Sequence, residues 1–417
     1  MPGVTTDAAP TLTPPTPTAP LRPRGSSQGG LRQYNERVVL QALRLHGPLP
    51  AADLARLTHL PAQTISMITK RLLDDGLLRK GAPRRGKVGQ PSVPLSLNPD
   101  GAFAIGIKVG RRSLDLLLLD FAGAIRERWS IGYDFPDPDL LLPEITARVA
   151  DVRRRLGDAG RERLQGIGSA QPLQLAAWHE LLGADAAVAA KWDRVDLRAD
   201  VEAGTGLPVQ RLKDTAAACM AELVAGRGQA LTSFLYVFVD TFVGGGLVLD
   251  HQLRSGLNGN AGAIGSLPLG RADDRGRTPA QLLSVASLVT LEQAWRSASL
   301  ADDAAADGRA LAGPWAAVTR RWLDDAAAAL ALAVDSAACL LDLDAVVIDG
   351  SCSADLREAL VAATQQALNR YDWRGVVRPA LLAGTLGSDA RALGGAWLPL
   401  VANFAPDRAL FLKDDGA

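Results

Sequence analysis

The stretch from Leu60 to Leu78, LPAQTISMITKRLLDDGLL, constrains the fold of this chain more than any other. Its apolar residues recur at intervals of three and four, which places one side of a helix against a core: Ile65, Ile68 and Leu72. Pro61 suits the first turn of a helix, and Gly76 supplies a stop. We therefore predict a helix that starts near Pro61 and ends before Gly76.

The opposite side of this helix carries short polar groups followed, one turn later, by cations: Gln63, Thr64, Ser66, Met67, Lys70 and Arg71. This order suits a helix that enters the major groove of DNA by its N-terminus, where a glutamine can pair with an adenine edge and a methionine can meet a thymine methyl group. Lys70 and Arg71 would neutralise phosphates, which position a protein without specifying sequence. A solvated helix face with no partner is the alternative interpretation.

Two shorter helices are predicted before it, which together make a helix-turn-helix. The first covers Gln33–Leu45 and ends at a Gly-Pro pair, with its inward side chains at Val39 and Leu43. The second covers Ala51–Thr58, with Leu54 and Leu57 predicted to be buried.

A basic hairpin is predicted after the helix, with strands at Leu77–Arg79 and Val93–Leu97. No acidic residue lies between Gly76 and Asp100, whereas five cations do: Arg79, Lys80, Arg84, Arg85 and Lys87. The hairpin resembles the wing of a winged helix-turn-helix, which tracks the DNA backbone or enters a minor groove. A flexible basic linker is the alternative.

The net charge of zero hides an asymmetry between the two parts of the chain. Residues 22–98 hold 13 basic and 4 acidic residues, a net charge of +9, whereas residues 99–417 hold 32 basic and 40 acidic residues, a net charge of −8. A basic module on an acidic body is typical of a nucleic-acid reader with a separate partner domain.

Other classes of protein are disfavoured by composition. The three cysteines are far apart and form no CxxC pair, which argues against a disulfide framework and fits a reducing cytosol: Cys219, Cys339 and Cys352. No apolar run reaches the roughly 18 residues of a membrane span. We therefore expect a cytoplasmic protein with no membrane partner.

We predict four segments along the chain. Residues 1–30 are rich in Pro and Thr and are expected to form a disordered tail, residues 31–98 the DNA-binding domain, residues 99–405 a sensing and dimerisation domain, and residues 406–417 a C-terminal tail. In the third segment, strand-like runs alternate with helical stretches: Ala104–Val109, Leu114–Asp120, Phe234–Val239 and Ala345–Ile348. This alternation predicts an α/β domain and is compatible with two related halves.

Three segments of this body resemble the ROK family of repressors, uncharacterised frames and sugar kinases: AIGIKVGRRSLDLLLLDFAG at 104–123, FVGGGLVLDHQLRSGLNGNAGAIGSLPLG at 242–270, and GSDARALGGAWLPL at 387–400. The resemblance implies a two-lobed, actin-like ATPase fold. Together with the N-terminal module, the layout resembles the repressor branch of the family.

The residues that carry kinase chemistry in the family are replaced here. The family's first phosphate turn, DxGGT, aligns with Lys108 to Arg112, so that Lys108 stands for the aspartate and Arg111 for the second glycine. A turn that must bring backbone amides to phosphate tolerates bulky side chains badly, and loss of the carboxylate weakens a Mg²⁺ site. Lys108 and Arg112 could bind an anion, or could lie on a strand end that faces the surface.

A second glycine run, which includes Gly244 and Gly245, survives better. It either retains nucleotide contacts or allows tight packing of a hairpin. In the family's sugar site, the resemblance places Ala263 and Leu283 where glutamates are expected and Ser266 where a histidine is expected.

The family's Asn-Asp pair appears as Lys213-Asp214. Asp214 would contact a ligand hydroxyl or cap a helix. It completes a candidate effector-binding set: Lys108, Arg112, Asp214, Gly244, Gly245 and Asn258.

The resemblance also implies a structural zinc site, which this chain lacks the ligands to form. Residues 266–283 contain neither Cys nor His. We expect no metal there, and apolar packing instead through Leu282, Val285 and Leu288.

These observations predict a transcriptional repressor with no catalytic residues and no cofactor. Its partners would be double-stranded operator DNA and a small-molecule effector, a sugar or a derivative, and it would be a homodimer or a dimer of dimers. Two alternatives stay open: an ATP-dependent sugar kinase with a fused DNA-binding head, and a DNA-binding dimer that takes no ligand.

Overall fold

A computed structural model describes most of the chain, namely residues 28–83, 92–173, 175, 179–180, 183–272 and 278–406. The chain divides into two compact units. The first comprises residues 1–74, 80–96 and 404–417, and the second comprises residues 75–79 and 97–403. The predicted N-terminal and C-terminal tails fall almost entirely outside the described residues.

Three helices build the first unit: α1 (Gln28–His46), α2 (Ala51–Thr58) and α3 (Ala62–Asp74). The bounds predicted for the second and third helices are confirmed, whereas α1 begins five residues before the predicted Gln33. The core of the unit consists of the side chains on the facing sides of these helices: Val39, Leu40, Leu43, Leu54, Ile65, Ile68 and Leu72.

The prediction that Leu57 is buried in this unit is wrong. Leu57 is 42% exposed, whereas Leu54 is fully buried. A residue three positions along a helix is rotated by about 60° from the first. In the last turn of α2, just before His59 ends the helix in a left-handed conformation, that rotation turns Leu57 towards solvent.

The predicted hairpin strands are present as β1 (Leu78–Lys80) and β2 (Leu95–Leu97), which pair in a two-stranded sheet. Gly76 precedes β1 with a φ of 72°, a left-handed conformation that glycine adopts without steric cost. A further antiparallel bridge joins Leu49 to Leu95. The helices are therefore followed by a hairpin, as the winged pattern requires.

The second unit contains two five-stranded sheets. The first sheet consists of β3 (Phe103–Val109), β4 (Ser113–Asp120), β5 (Ile125–Gly132), β6 (Leu164–Gln171) and β7 (Val209–Lys213). The second consists of β8 (Phe234–Val239), β9 (Gly244–Leu249), β10 (Gln252–Arg254), β11 (Ala345–Gly350) and β12 (Ala380–Ala383).

The two sheets share one topology. Their strand orders are β5-β4-β3-β6-β7 and β10-β9-β8-β11-β12. In each sheet the three strands that come first in the chain form an antiparallel meander. The central strand then pairs in parallel with the fourth strand, and the fourth strand pairs in parallel with the fifth. The expectation of two related α/β halves is confirmed.

Nine helices of the described residues cover these sheets: α4 (Pro138–Glu162), α5 (Ala186–Lys191), α6 (Leu197–Thr205), α7 (Asp214–Ala225), α8 (Leu283–Ala286), α9 (Leu288–Ser297), α10 (Trp315–Leu340), α11 (Ala354–Ala367) and α12 (Ala390–Phe404). Trp295 and Trp322 lie in the largest apolar core, against the second sheet. Among the described residues, no helix is both long enough and apolar enough to cross a membrane. The predicted mixed α/β class is confirmed.

Candidate DNA-binding and effector-binding sites

The face of α3 predicted to read DNA is turned away from the core. Ile65, Ile68 and Leu72 are buried on the inner side. On the other side Thr64 is half-buried, and five side chains are exposed: Gln63, Ser66, Met67, Lys70 and Arg71. Met67 is 63% exposed and offers the face an apolar contact. The face thus combines hydrogen-bonding groups, an apolar contact and cations.

Arg71 forms an ion pair with Glu36 of α1, with 3.5 Å between Nη1 and the carboxylate oxygen. Its side chain is nevertheless 48% exposed. Arg79 and Lys80 are exposed on β1. The other predicted wing residues, Arg84, Arg85 and Lys87, lie outside the described residues. The structure therefore brings the α3 residues together on one face, and their role as DNA contacts stays a prediction.

The candidate effector-binding region of the body lies beside α12. The glycines of β3 and β6 lie so close to this helix that an added Cβ would stand 2.1 Å from the Ala392 carbonyl oxygen at Gly106, and 1.8 Å from the Gly395 carbonyl oxygen at Gly168. Only glycine allows backbone to approach backbone so closely. This contact fixes the first turn of α12, which carries Arg391, beside the two cavities described next.

The larger of two cavities in this region has a volume of about 530 Å³ and is called the charged cavity below. Its charged lining residues are Lys108, Arg111, Arg112, Asp115, Arg128, Asp240, Glu292, Asp302, Asp303, Asp389 and Arg391. Most of its cations are matched by a carboxylate within hydrogen-bond distance.

Lys108 does not lie on a surface-facing strand end, which corrects that alternative. It is 4% exposed, because β3 is the central strand of its sheet. Its Nζ lies 2.8 Å from Asp115 and donates to Ser113. Burial, together with repulsion from Arg391, lowers the pKa of Lys108 below its usual value. Burial alone would raise the pKa of Asp115, but attraction by Lys108 and hydrogen bonds from Lys108, Ser130 and Ser113 outweigh it and lower that pKa.

Arg391 is 5% exposed and pairs with Asp240 at the end of β8. It also donates to Ser351 at 3.1 Å and lies 4.0 Å from Asp214. Burial would raise the pKa of Asp240, but attraction by Arg391 and Lys108 outweighs it and lowers that pKa. One guanidinium therefore compensates a buried carboxylate, Asp214, and a half-buried one, Asp240, from separate elements.

Arg112 reaches Glu292 of α9, with 2.7 Å between Nη1 and the carboxylate. Burial raises the pKa of Glu292, and Arg112 opposes that rise. Lys108 and Arg112, the two residues predicted to bind an anion, both line the charged cavity, but each already has a carboxylate partner. Their binding of an anion stays a prediction.

A second cavity of about 290 Å³ adjoins the first and is called the small cavity below. Arg111 lines both cavities. The small cavity is also lined by Lys213, Asp214, Gly244, Asn260, Ala263, Ser266 and Leu283. The positions that the family resemblance assigned to sugar contacts are therefore together in space, although most of the expected side chains are replaced.

Asp214 begins α7, and its carboxylate accepts from the backbone N–H of Thr215 at 2.8 Å. The residue before it, Lys213, is the N-cap and makes no side-chain cap, so the prediction that Asp214 caps the helix is wrong. Asp214 lines the small cavity, and its contact with a ligand hydroxyl stays a prediction. Asn258 is exposed and does not line this cavity, whereas Asn260, two residues later, does.

The second glycine run is explained by packing. Gly244 and Gly245 lie in β9, where an added Cβ would stand 2.8 Å from Thr215 at Gly244 and 2.5 Å from the Tyr236 carbonyl oxygen at Gly245. Thr215 donates its hydroxyl to the Gly245 carbonyl oxygen at 2.8 Å. The run is thus needed to seat β9 against α7 and β8, whatever the cavity binds.

The residues of the segment that binds zinc in the family do not fit a metal. Ser266 occupies the histidine position, and residues 266–283 contain no Cys or His. The segment is held instead by a backbone bridge between Pro268 and Gln281 and by a hydrogen bond from Leu282 N–H to the Leu267 carbonyl. Leu282 and Leu288 are buried and Val285 packs against the same core, as predicted.

Sequence reasoning missed the partners that neutralise this site: Asp115, Asp240, Glu292 and Arg391. Arg391 lies inside one of the segments used for the family resemblance, but its role shows only in three dimensions, since its partner Asp240 is 151 residues away. A search for charged residues at strand ends would have found Asp240 alone.

Comparisons with known proteins agree with this architecture. The model of the ROK family matches residues 104–401, and a model of the MarR family matches residues 33–87. An uncharacterised protein of Sinorhizobium fredii, y4fQ, is 27% identical over 371 residues, which cover 89% of this chain and 91% of that protein.

Functionally described relatives include both regulators and kinases. The xylose repressor of Caldicellulosiruptor bescii is 25% identical over 58% of this chain, and the match spans only 61% of the repressor. A glucokinase of Halalkalibacterium halodurans is 26% identical over 70% of this chain and 94% of the kinase. These similarities by themselves therefore do not distinguish a regulator from a kinase.

A solved structure described as a ROK family transcriptional regulator, a homolog of the E. coli MLC protein, superposes with a TM-score of 0.65 at 19% identity. The superposition covers 90% of this chain and 98% of that one. At this identity the likeness shows the fold, which extends over the head and the two-sheet body.

Proposed function

The chain belongs to the ROK family, and we propose that it is a DNA-binding transcriptional repressor whose kinase-like body senses a small molecule without phosphorylating it. The observation that carries this proposal is the exposed face of α3. There Gln63, Ser66, Met67 and Lys70 point away from a core formed by the other side of the same helix. The xylose repressor among the relatives makes sugar metabolism the first place to look for regulated genes.

The α3 face fits the major groove by its chemistry. Gln63 near the helix start would read a base edge, and Met67 one turn later would meet a thymine methyl group. Lys70, with Arg79 and Lys80 on β1, would neutralise phosphates on either side. A basic module of this kind holds DNA mainly through counterion release, so its affinity would fall steeply with salt.

A kinase is the second candidate, because a glucokinase is among the relatives. The first phosphate turn argues against it. Lys108 and its partner Asp115 occupy the place where the family's carboxylate would hold Mg²⁺, and Arg111 and Arg112 replace the small residues of the turn. A cation at that place repels a metal ion that must offset the charge of the transferred phosphoryl group. We therefore propose that the body is not an enzyme.

Dimerisation and location follow from the same proposal. A protein that reads palindromic operators does so with two heads related by a two-fold axis, so we propose a homodimer or a dimer of dimers. Effector binding in the body would shift the equilibrium between arrangements of the two heads. Because a repressor must reach the chromosome, we propose that the protein acts in the cytoplasm. A DNA-binding dimer that takes no ligand is the remaining alternative.

Selection of bound fragments from the source genome tests the DNA-binding role. The full chain is compared with Lys70→Ala, Gln63→Ala and a control, Arg374→Ala, which removes an exposed cation of the body. Lys70→Ala should weaken all sites and reduce the salt slope by about one, whereas Gln63→Ala should relax preference at one position at a cost of about 1–3 kcal/mol. If the two α3 variants behave like the control, the assigned face is wrong.

A coupled assay for ADP release with a panel of hexoses tests the second candidate. The repressor proposal expects no turnover above that of a sample without protein. Hexose-dependent ADP release at a kinase rate, about 1–100 per second, would establish an enzyme.

A further inference from the structure

The small cavity differs from the charged cavity in how its charges are balanced. In the charged cavity, cations stand opposite carboxylates: Lys108 with Asp115, Arg112 with Glu292, Arg128 with Asp389 and Arg391 with Asp240. The small cavity has two cations, Arg111 and Lys213, and one carboxylate, Asp214. Its lining is therefore net positive.

Arg111 has no ion pair among the described residues. Its guanidinium lies over the ring of Phe242, 4.8 Å from the centroid, and its Nε is buried without a hydrogen-bond partner. Burial lowers the pKa of Arg111 from its usual value, although attraction by Asp214 and Asp240 opposes this. An arginine stays charged in a protein, so this side chain presents an uncompensated cation with unused donors.

Lys213 is the second cation and is also poorly compensated. Its Nζ lies 3.5 Å from the Gly245 carbonyl oxygen, at the limit of a hydrogen bond. Burial lowers its pKa, with Asp214 opposing. Asp214 itself is already engaged, since it accepts from Thr215 N–H and lies 4.0 Å from Arg391. It therefore cannot fully neutralise both Arg111 and Lys213.

Arg111 and Lys213 are half-buried, and a cation that is partly withdrawn from water without a partner carries a desolvation cost that an anion would reduce. The fork of a guanidinium fits a carboxylate or a phosphate by two parallel hydrogen bonds, and a lysine beside it adds a point charge. The remaining polar lining, Asn260 and Ser266 with Asp214, offers donors and acceptors for hydroxyl groups. Ala263 and Leu283 make the wall otherwise apolar.

We propose that the small cavity binds a small, hydroxylated anion of monosaccharide size, with its acidic group held by Arg111 and Lys213. The volume of about 290 Å³ accommodates a ligand of that size. The acidic group is a carboxylate or a phosphate, which these residues recognise by the same chemistry. The inference rests on the proposed sensing role and names the ligand class of that site.

Thermal shift and calorimetry on the purified full chain test the inference, at low and constant ionic strength. The probes are glucose, gluconate, glucose 6-phosphate and inorganic phosphate. A ligand that binds only the folded state raises the melting midpoint. We expect gluconate or glucose 6-phosphate to raise it, glucose to leave it unchanged, and whichever acid binds more tightly to identify the acidic group. Failure of both sugar acids to bind, or tighter binding of glucose, overturns the inference.

Variants locate the binding. Arg111→Gln and Lys213→Gln should each reduce the affinity for the sugar acid at least tenfold. Arg111→Lys keeps the charge but loses the two parallel hydrogen bonds of the guanidinium, so its affinity should be intermediate. The matched control is Arg128→Gln, which removes a paired guanidinium from the neighbouring charged cavity and should change affinity less than twofold. An equal loss in this control would overturn the assignment to the small cavity.

Binding of genomic DNA by the same preparations separates this inference from the proposed function. If the full chain binds DNA but no acid, the inference fails alone. If it binds an acid and no DNA at any salt concentration, the repressor proposal fails and the cavity assignment stands.

Discussion

The cations of α3 and the cations of the body's cavities are held in opposite ways. Lys70 is exposed and Arg71 is about half exposed, whereas Lys108 is 4% exposed and Arg391 is 5% exposed. An exposed cation keeps its hydration and costs little to hold, so it is available to a phosphate. A buried cation must be matched by a carboxylate.

This difference assigns different roles to similar residues. Cations on a solvated helix face contribute to binding and hardly to stability, whereas paired cations in a cavity contribute to stability and hardly to binding. Arg111 belongs to neither group, because it is partly buried and has no ion pair among the described residues. Such a residue is where a ligand contact is best sought.

The largest loss of stability should come from removing Arg391, whose guanidinium compensates two carboxylates. Arg391→Met leaves the buried Asp214 and the half-buried Asp240 without their guanidinium, and the free energy of unfolding should fall by about 3–5 kcal/mol. Denaturant unfolding of the full chain measures it. Arg374→Met, at an exposed pair with Asp372, should lose nothing measurable. Equal losses in the two variants would refute the contrast between buried and exposed cations.

The same contrast can be tested with apolar residues of one helix. Leu54→Ala should reduce the free energy of unfolding of the first unit by about 2–5 kcal/mol, because it opens a cavity in the core. Leu57→Ala, three residues later and 42% exposed, should change it by less than about 0.5 kcal/mol. Unfolding followed by circular dichroism distinguishes them, and a large loss at Leu57 would show that this side chain is buried.

The contribution of the buried Lys108–Asp115 ion pair to stability should depend on pH. In the native chain the pKa of Asp115 lies below that of the unfolded state, so its stabilisation is present above about pH 4 and is lost as the pH falls through the folded pKa. Lys108→Met removes the largest of the effects that lower that pKa and leaves burial opposed only by the hydrogen bonds from Ser113 and Ser130, so the pKa rises and acidification costs the variant less stability than it costs the native chain. The difference in free energy of unfolding between the native chain and the less stable variant, called the deficit below, should therefore be largest near pH 7 and should shrink below pH 4.

This deficit should change by about 1.4 kcal/mol for each unit by which the two folded-state pKa values differ. Denaturant midpoints between pH 3 and pH 7 measure it. A deficit that is the same at every pH would mean that the ion pair contributes nothing to the loss.

The smallest effect on stability is expected at the exposed cations of α3. Glu36→Gln removes a carboxylate partner of Arg71, and the free energy of unfolding should change by less than about 1 kcal/mol. DNA affinity should nevertheless rise, and its salt dependence should steepen by up to about one unit of slope, because a negative charge beside α3 is gone. Fluorescence anisotropy over a salt series measures both, and weaker binding would place Arg71 outside the interface.

Much of the fold could be predicted from the sequence. The bounds of α2, the inner face of α3 and β8 follow from local periodicity, and that periodicity is a property of neighbouring residues. Leu57 was misjudged because periodicity gives the direction of a side chain but not what covers it at a helix end. Lys108 was placed correctly in a strand, yet its burial depends on β4 and β6 on either side.

The sequence by itself determined the helix-turn-helix, the asymmetry of charge and the loss of the family's kinase and zinc residues, since each of these is a matter of which residue types follow one another. Only the tertiary structure decided which charges neutralise one another. Arg112 and Glu292 are 180 residues apart, and Arg391 and Asp240 are 151 apart. Coulomb attraction depends on distance in space and on burial, so a cation without a partner can be recognised only after the chain has folded.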